Sequence, residues 1–124
     1  MRYAILSLLV GACSVDTGQD TGPPPSVQVV KTSPTTLEIQ LQGGKHLRGL
    51  QLTLDYEASQ IELMHVDPGP DAQWLDTVRM GGPAGHTIVL ISDTRQVPLP
   101  KAGVMARVTF SGSGAIGSSH VVMQ

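Results

Sequence analysis

From residue 27 to residue 123 the chain repeatedly alternates apolar and polar residues, and glycine or proline interrupts the alternation at short intervals. A period of two puts one face of a strand on a core and the other in water, and it is incompatible with an amphipathic helix. Leu37-Glu-Ile39-Gln-Leu41 and Leu50-Gln-Leu52-Thr-Leu54-Asp-Tyr56 alternate cleanly. Val104-Met-Ala106-Arg-Val108-Thr-Phe110 is the clearest amphipathic strand, with Phe110 as its largest core-facing residue. Val27-Gln-Val29-Val30 starts a further strand and His120-Val-Val-Met123 is a last short one. Thr87-Ile88-Val89-Leu90-Ile91 is continuously apolar after its first residue, which predicts a central strand covered on both sides. No stretch has helical periodicity. Seven to eight short strands between Gly/Pro-rich turns predict an all-β fold, an antiparallel β-sandwich or jelly roll.

Several segments read less simply. Ile61-Glu-Leu63 is followed by Met64 and Val66 on the opposite parity, so the strand carries a bulge or is covered on both faces. His65 shares the parity of Ile61 and Leu63, which predicts a partly buried histidine. Trp74 to Val78 fits a weak strand or a short helical turn. Ser111-Gly-Ser-Gly114 and Gly117 read as a flexible connection, and Pro98-Leu99-Pro100 as a break. Beyond residue 13 the aromatics are Tyr56, Trp74 and Phe110, so the core rests on Leu, Ile, Val and Met. Tyr56 closes an inward-facing row, where its hydroxyl can satisfy a polar group at the rim.

The first residues are of another kind. Met1-Arg2-Tyr3 leads into the apolar run Ala4 to Ala12, which ends at Cys13, the one cysteine of the chain. One positive charge and a brief apolar stretch before small residues is the layout of a secretory signal, and the run is too short to span a bilayer. Val10-Gly11-Ala12-Cys13 resembles the lipobox of bacterial lipoproteins, with Val in place of the usual Leu. The resemblance implies cleavage after residue 12 and a diacylglyceryl group on Cys13, with Ser14 at the next position favouring the outer membrane. The alternatives are an ordinary signal peptide or a buried strand with Cys13 as a small core residue. Residues 14–26 hold one apolar side chain and the run Pro23-Pro24-Pro25, and read as a disordered tether stiffened at its end. The expected layout is a signal at 1–12, a lipid-anchored linker at 13–26 and one domain at 27–124.

Little in the chain points to catalysis. Asp16 and Asp20 each open an Asp-Thr-Gly triplet, but both triplets lie in the polar spacer. An aspartic protease needs two carboxylates sharing a proton in a folded site. No nucleophile-elbow pattern is present, so no catalytic residue is assigned. His46, His65, His86 and His120 lack a paired ligand spacing. Asp67, Asp71 and Asp76 surround a Pro/Gly loop and could offer oxygens to calcium, but they read better as a solvated acidic loop. No metal or cofactor is therefore expected. A net charge of −2 with scattered basic residues argues against nucleic acid. Trp74 is the candidate ligand contact, because sugar binding needs an exposed planar aromatic; the competing role is a plug at one end of the sandwich.

Three segments, in order, are similar to the cohesin domain, the receptor module for dockerins in cellulosomes. They are Gly49 to Leu63 with Val66-Asp67-Pro68-Gly69, then Ile88-Val-Leu-Ile-Ser-Asp93, then Gly103-Val-Met-Ala-Arg-Val-Thr-Phe110. Ala58 stands where the cohesin pattern has Pro, and the loops are short. The resemblance implies a non-catalytic module that binds a protein partner, dockerin-like or other, through a sheet face. Cohesins share their fold with carbohydrate-binding modules, which leaves a polysaccharide ligand at Trp74, or a purely structural envelope role, as alternatives.

Overall fold

The computed structural model describes residues 24–43 and 47–124; the expected signal, Cys13, most of the tether and His46 lie outside these residues. Among the described residues eight strands form two sheets: β1 (Ser26–Ser33), β2 (Thr36–Gln42), β3 (Gly49–Tyr56), β4 (Ile61–Pro68), β5 (Thr77–Gly81), β6 (His86–Ser92), β7 (Ala102–Gly112) and β8 (Ile116–Met123). One sheet has the order β1-β2-β7-β4 and the other β5-β6-β3-β8. Every pairing is antiparallel. Hairpins join β1 to β2 and β5 to β6, while every other connection passes between sheets, giving the sandwich expected from the alternation.

The two sheets bury the predicted apolar rows against each other. Leu37, Ile39 and Leu41 of β2 and Ala106, Val108 and Phe110 of β7 meet Leu50, Leu52 and Leu54 of β3 and Val89 and Ile91 of β6. Each such side chain contributes about 1.5–3 kcal/mol by leaving water. The ends are closed by Leu47, Ala72, Leu75 and Leu99. The Leu99 N–H donates to the Leu47 carbonyl at 2.7 Å, which binds two of these loops together. Tyr56 and Thr87 share a hydroxyl hydrogen bond of 2.8 Å at the rim, as the Tyr56 position predicts.

Bulges decide where parity fails. In β4 the register shifts between Leu63 and His65, so Val66 turns inward and His65 lies exposed, contrary to the burial expected for it. In β7 the shift opposite Ile39 and Gln40 lets both Met105 and Ala106 bury. Thr87 to Ile91 is not covered on both sides. Thr87, Val89 and Ile91 face the core, while Ile88 and Leu90 are 39% and 37% exposed because no layer among the described residues covers the outer face of their sheet. The Ser111 to Gly117 connection is shorter than expected, since β7 runs to Gly112 and β8 begins at Ile116. Trp74 lies in a turn, and the strand after it starts at Thr77.

Candidate functional site

The two outer faces of the sandwich differ in chemistry. On the β1-β2-β7-β4 face, Arg107 Nε donates to Glu38 Oε2 at 3.1 Å, and Arg107 stands in register with Asp67. Asp67 is 3.3 Å from His65. These charges, paired along β4 and across β2, β7 and β4, make a solvated surface. Of the seven exposed large hydrophobic residues among the described residues, the other sheet carries five: Ile88 and Leu90 on β6, and Val121, Val122 and Met123 on β8.

The register sets out this second face in rows. Arg79, Leu90, Gln51 and Val122 cross the four strands at one level, and Gly81, Ile88, Thr53 and Ser119 at the next. His86, Asp55 and Gly117 form the row beyond. A bulge in β8 leaves His120 and Val121 opposite Leu52, and His120 takes φ 50°, a left-handed conformation that is rare for a residue with a side chain.

Asp55 anchors the polar end of the face. His86 Nδ1 donates to its Oδ1 at 2.9 Å, Ser119 stands beside it, and Ser119 Oγ lies 3.0 Å from His120 Nδ1. Partial burial would raise the Asp55 carboxyl, but the hydrogen bonds from Ser119 and His86 and the nearby histidines outweigh it and hold the pKa below its ordinary value. Asp, His and Ser are here joined through the carboxylate and not through an imidazole. This is not the order that activates a serine nucleophile.

The opposite end is framed by the turn that carries Trp74 and by the loop after β6. Trp74 is 47% exposed and does not plug the core; Leu75 next to it is buried in that role. The Trp74 carbonyl accepts from Arg95 Nη2 at 3.1 Å. Asp76 accepts from the Thr94 N–H at 2.9 Å and from the Thr94 and Thr77 hydroxyls, and these bonds, those of Thr94 foremost, lower its pKa. The acidic loop is thus divided: Asp76 caps this corner, Asp71 Oδ2 accepts from the Val104 N–H at 2.9 Å, and Asp67 faces the other sheet's exterior. Among the described residues no three His, Cys, Asp or Glu side chains stand together as metal ligands.

Asp93 is the polar residue that pattern reading missed. It is 1% exposed and directly follows the β6 segment, whose last residue is Ser92. Its signal in the sequence is the Asp93-Thr94-Arg95 triplet after a strand, in which an Asx turn lets the carboxylate bond the backbone two residues on.

No family model and no curated protein sequence matches the chain. Solved structures do. The non-cellulosomal cohesin of the archaeon Archaeoglobus fulgidus superposes with a TM-score of 0.65 at 13% identity, covering 82% of this chain and 78% of that one. The seventh ScaB type I cohesin of Pseudobacteroides cellulosolvens gives 0.62 at 19% identity, covering 79% and 75%. The sixth scaffoldin B cohesin of Acetivibrio cellulolyticus, solved in complex with a Cel5 dockerin mutant, gives 0.62 at 19% identity, covering 83% and 86%. With its two antiparallel sheets and their register, the chain has the cohesin-like β-sandwich fold.

Proposed function

We propose that the chain is a non-catalytic interaction module that binds a protein partner on the outer face of the β5-β6-β3-β8 sheet. The observation that carries this reading is the contrast between the faces: charge pairs cover one, while Ile88, Leu90 and Val122 stand uncovered on the other. Apolar residues grouped on one face and rimmed by polar groups mark an interaction surface. The likeness to a cohesin solved with its dockerin supports a protein as partner, and a dockerin-like module as its first candidate. The Val10 to Cys13 sequence supports attachment through a lipid on Cys13 at a bacterial envelope, on the outer membrane or cell surface. In that setting the module displays the face to its partner at the end of residues 14–26.

The test is isothermal titration of the purified chain against a panel of recombinant dockerin modules, repeated with Ile88→Asp and Leu90→Asp. Saturable binding that both substitutions abolish, with melting temperatures unchanged, is the expected result. Binding that survives both substitutions moves the partner to another surface, and no binding across the panel removes the dockerin-like partner.

A second reading has one observation in its favour, the exposure of Trp74. A sugar ring can stack on an exposed indole, which would make the ligand a polysaccharide.

A further inference from the structure

We infer that the β5-β6-β3-β8 face is complementary to itself, so that a second copy of this chain occupies it when no other partner does. The inference uses the same face as the proposed partner site, but it rests on the register and does not require a dockerin-like partner.

Three placements carry it. Arg79 on β5 stands opposite Leu90, and Asp55 on β3 stands opposite His86. Leu90 and His86 lie two residues to either side of Ile88 on the strand between. The cation and the anion therefore flank Ile88 on opposite sides and at equal steps. A twofold axis lying in the interface and passing through Ile88 sets Arg79 of each copy over Asp55 of the other. The two Ile88 side chains then meet on the axis. This is the isologous arrangement that homodimers use.

The charges suit the contact. Arg79 is exposed, and among the described residues it takes part in no ion pair. The Asp55 carboxylate accepts from His86 on Oδ1 and keeps acceptor capacity for a guanidinium. Gly81 gives an independent observation. It pairs with Ile88, a Cβ there would meet nothing within 4 Å, and its φ is not in the left-handed region. Nothing in the fold calls for glycine at this place, and glycine in a strand often marks the close approach of another backbone. In the twofold arrangement Gly81 lies against the row that holds His86 in the second copy.

The area bounds the strength. Four strands about 4.8 Å apart and some seven residues long present roughly 400–500 Å² per copy. About 900 Å² in total falls below the ~1,200 Å² of standard stable interfaces, so the contact is weak and a dedicated partner displaces it.

The test is sedimentation velocity of the purified full chain from micromolar to millimolar concentration, with a backbone amide NMR dilution series. The expected result is a reversible monomer–dimer equilibrium, weakened by salt. Concentration-dependent shifts should centre on Ile88, Leu90 and Thr53. Arg79→Asp places like charges over each other and should abolish the dimer with the melting temperature unchanged. Asp55→Arg combined with Arg79→Asp should restore it. If the double variant does not fold, the salt dependence and Arg79→Asp alone decide. A chain that stays monomeric at every concentration overturns the inference. So does a dimer indifferent to Arg79→Asp, or one whose shifts follow the β8 edge. None of these outcomes bears on dockerin binding, which the titration reads separately.

Discussion

Arg95 grips Asp93 with two parallel hydrogen bonds, Nε to Oδ1 and Nη2 to Oδ2, each 2.7 Å. The Arg95 N–H adds a third at 2.9 Å and the Asp76 N–H a fourth at 3.3 Å. A carboxylate that is 1% exposed is thus satisfied on both oxygens, and it ties the start of β5 to the loop after β6. The Arg95 side-chain bonds outweigh burial and hold the Asp93 pKa far below the usual carboxylate range, while Asp93 in turn raises that of Arg95.

This pair predicts a defined loss of stability in acid. Where the folded-state pKa is depressed, the unfolded state binds more protons as pH falls. The stabilisation is complete above the unfolded value near 4 and disappears as pH drops through the folded value. Asp76 and Asp55 are shifted in the same direction and add to the effect. Urea melts between pH 7 and pH 2 should show a midpoint that is level down to about pH 4 and then falls. In Asp93→Asn the midpoint at pH 7 should be lower and the acid slope shallower. A slope identical to that of the parent chain would place the acid sensitivity elsewhere.

Among the described residues Phe110 is the largest fully buried side chain, in the sheet opposite Leu52 and Leu54. Phe110→Ala should cost about 3–5 kcal/mol, against a total of about 5–15 kcal/mol for a domain of this kind. The Lys31 ammonium, 5.5 Å from the ring centroid, loses its cation–π partner as well. Met64→Ala, at an exposed position, should change stability by no more than about 0.5 kcal/mol. Chemical denaturation of both variants checks the contrast, and equal losses would contradict the assignment of the core.

Strand existence and the core rows of β2, of β3 and of β7 from Ala106 to Phe110 were legible in the sequence, because alternation reports burial directly along a stretch that carries no extra residue of its own; at Met105, the extra residue of β7, the alternation breaks. His65 was misread because one extra residue at Met64 reverses parity, and no local signal specifies which residue bulges. Ile88 and Leu90 were misread for the opposite reason. An apolar run looks alike whether a second layer covers it or a partner does, so a candidate binding face resembled a core strand. Asp93 escaped notice because burial of a carboxylate depends on Arg95 and Asp76, and only the folded chain brings Asp76 there.

Gly103 should tolerate no side chain. Its φ is +128°, and a Cβ there would lie 2.4 Å from Asp71 Oδ2, the atom that accepts from the Val104 N–H. Gly103→Ala adds backbone strain to the loss of that bond and should destabilise by more than about 1 kcal/mol. Gly81→Ala, with open space around it, should be neutral or stabilising by up to about 1 kcal/mol. Thermal melts of the two variants give opposite signs if the local geometry is as described.

Trp74 and the apolar face separate the two ligand classes. If the ligand is a polysaccharide stacked on the indole, retention on insoluble cellulose or chitin should vanish in Trp74→Ala and persist in Ile88→Asp. If the ligand is a protein on the sheet face, the parent chain should not be retained on either polysaccharide. Truncating a well-packed aromatic at a binding centre typically costs 2 kcal/mol or more, about thirtyfold in affinity. A depletion assay reads a change of that size. Retention that Trp74→Ala leaves unchanged would remove the indole from consideration.

Cys13 governs location in the proposed reading, and its test is independent of any ligand. Each acyl CH2 buried in a bilayer contributes about 0.8 kcal/mol, so the two chains of a diacylglyceryl group hold a protein on a membrane where one chain is marginal. With its thiol replaced, the chain has no atom to receive that group. Cys13→Ser should therefore move the protein from the membrane pellet to the soluble fraction of a bacterial host, while the β-sandwich keeps its melting temperature. Metabolic labelling with a palmitate analogue should mark the parent chain and not the variant. A Cys13→Ser chain that still sediments with membranes, in high salt that strips surface-bound protein, would show that something other than a lipid on this residue holds it there.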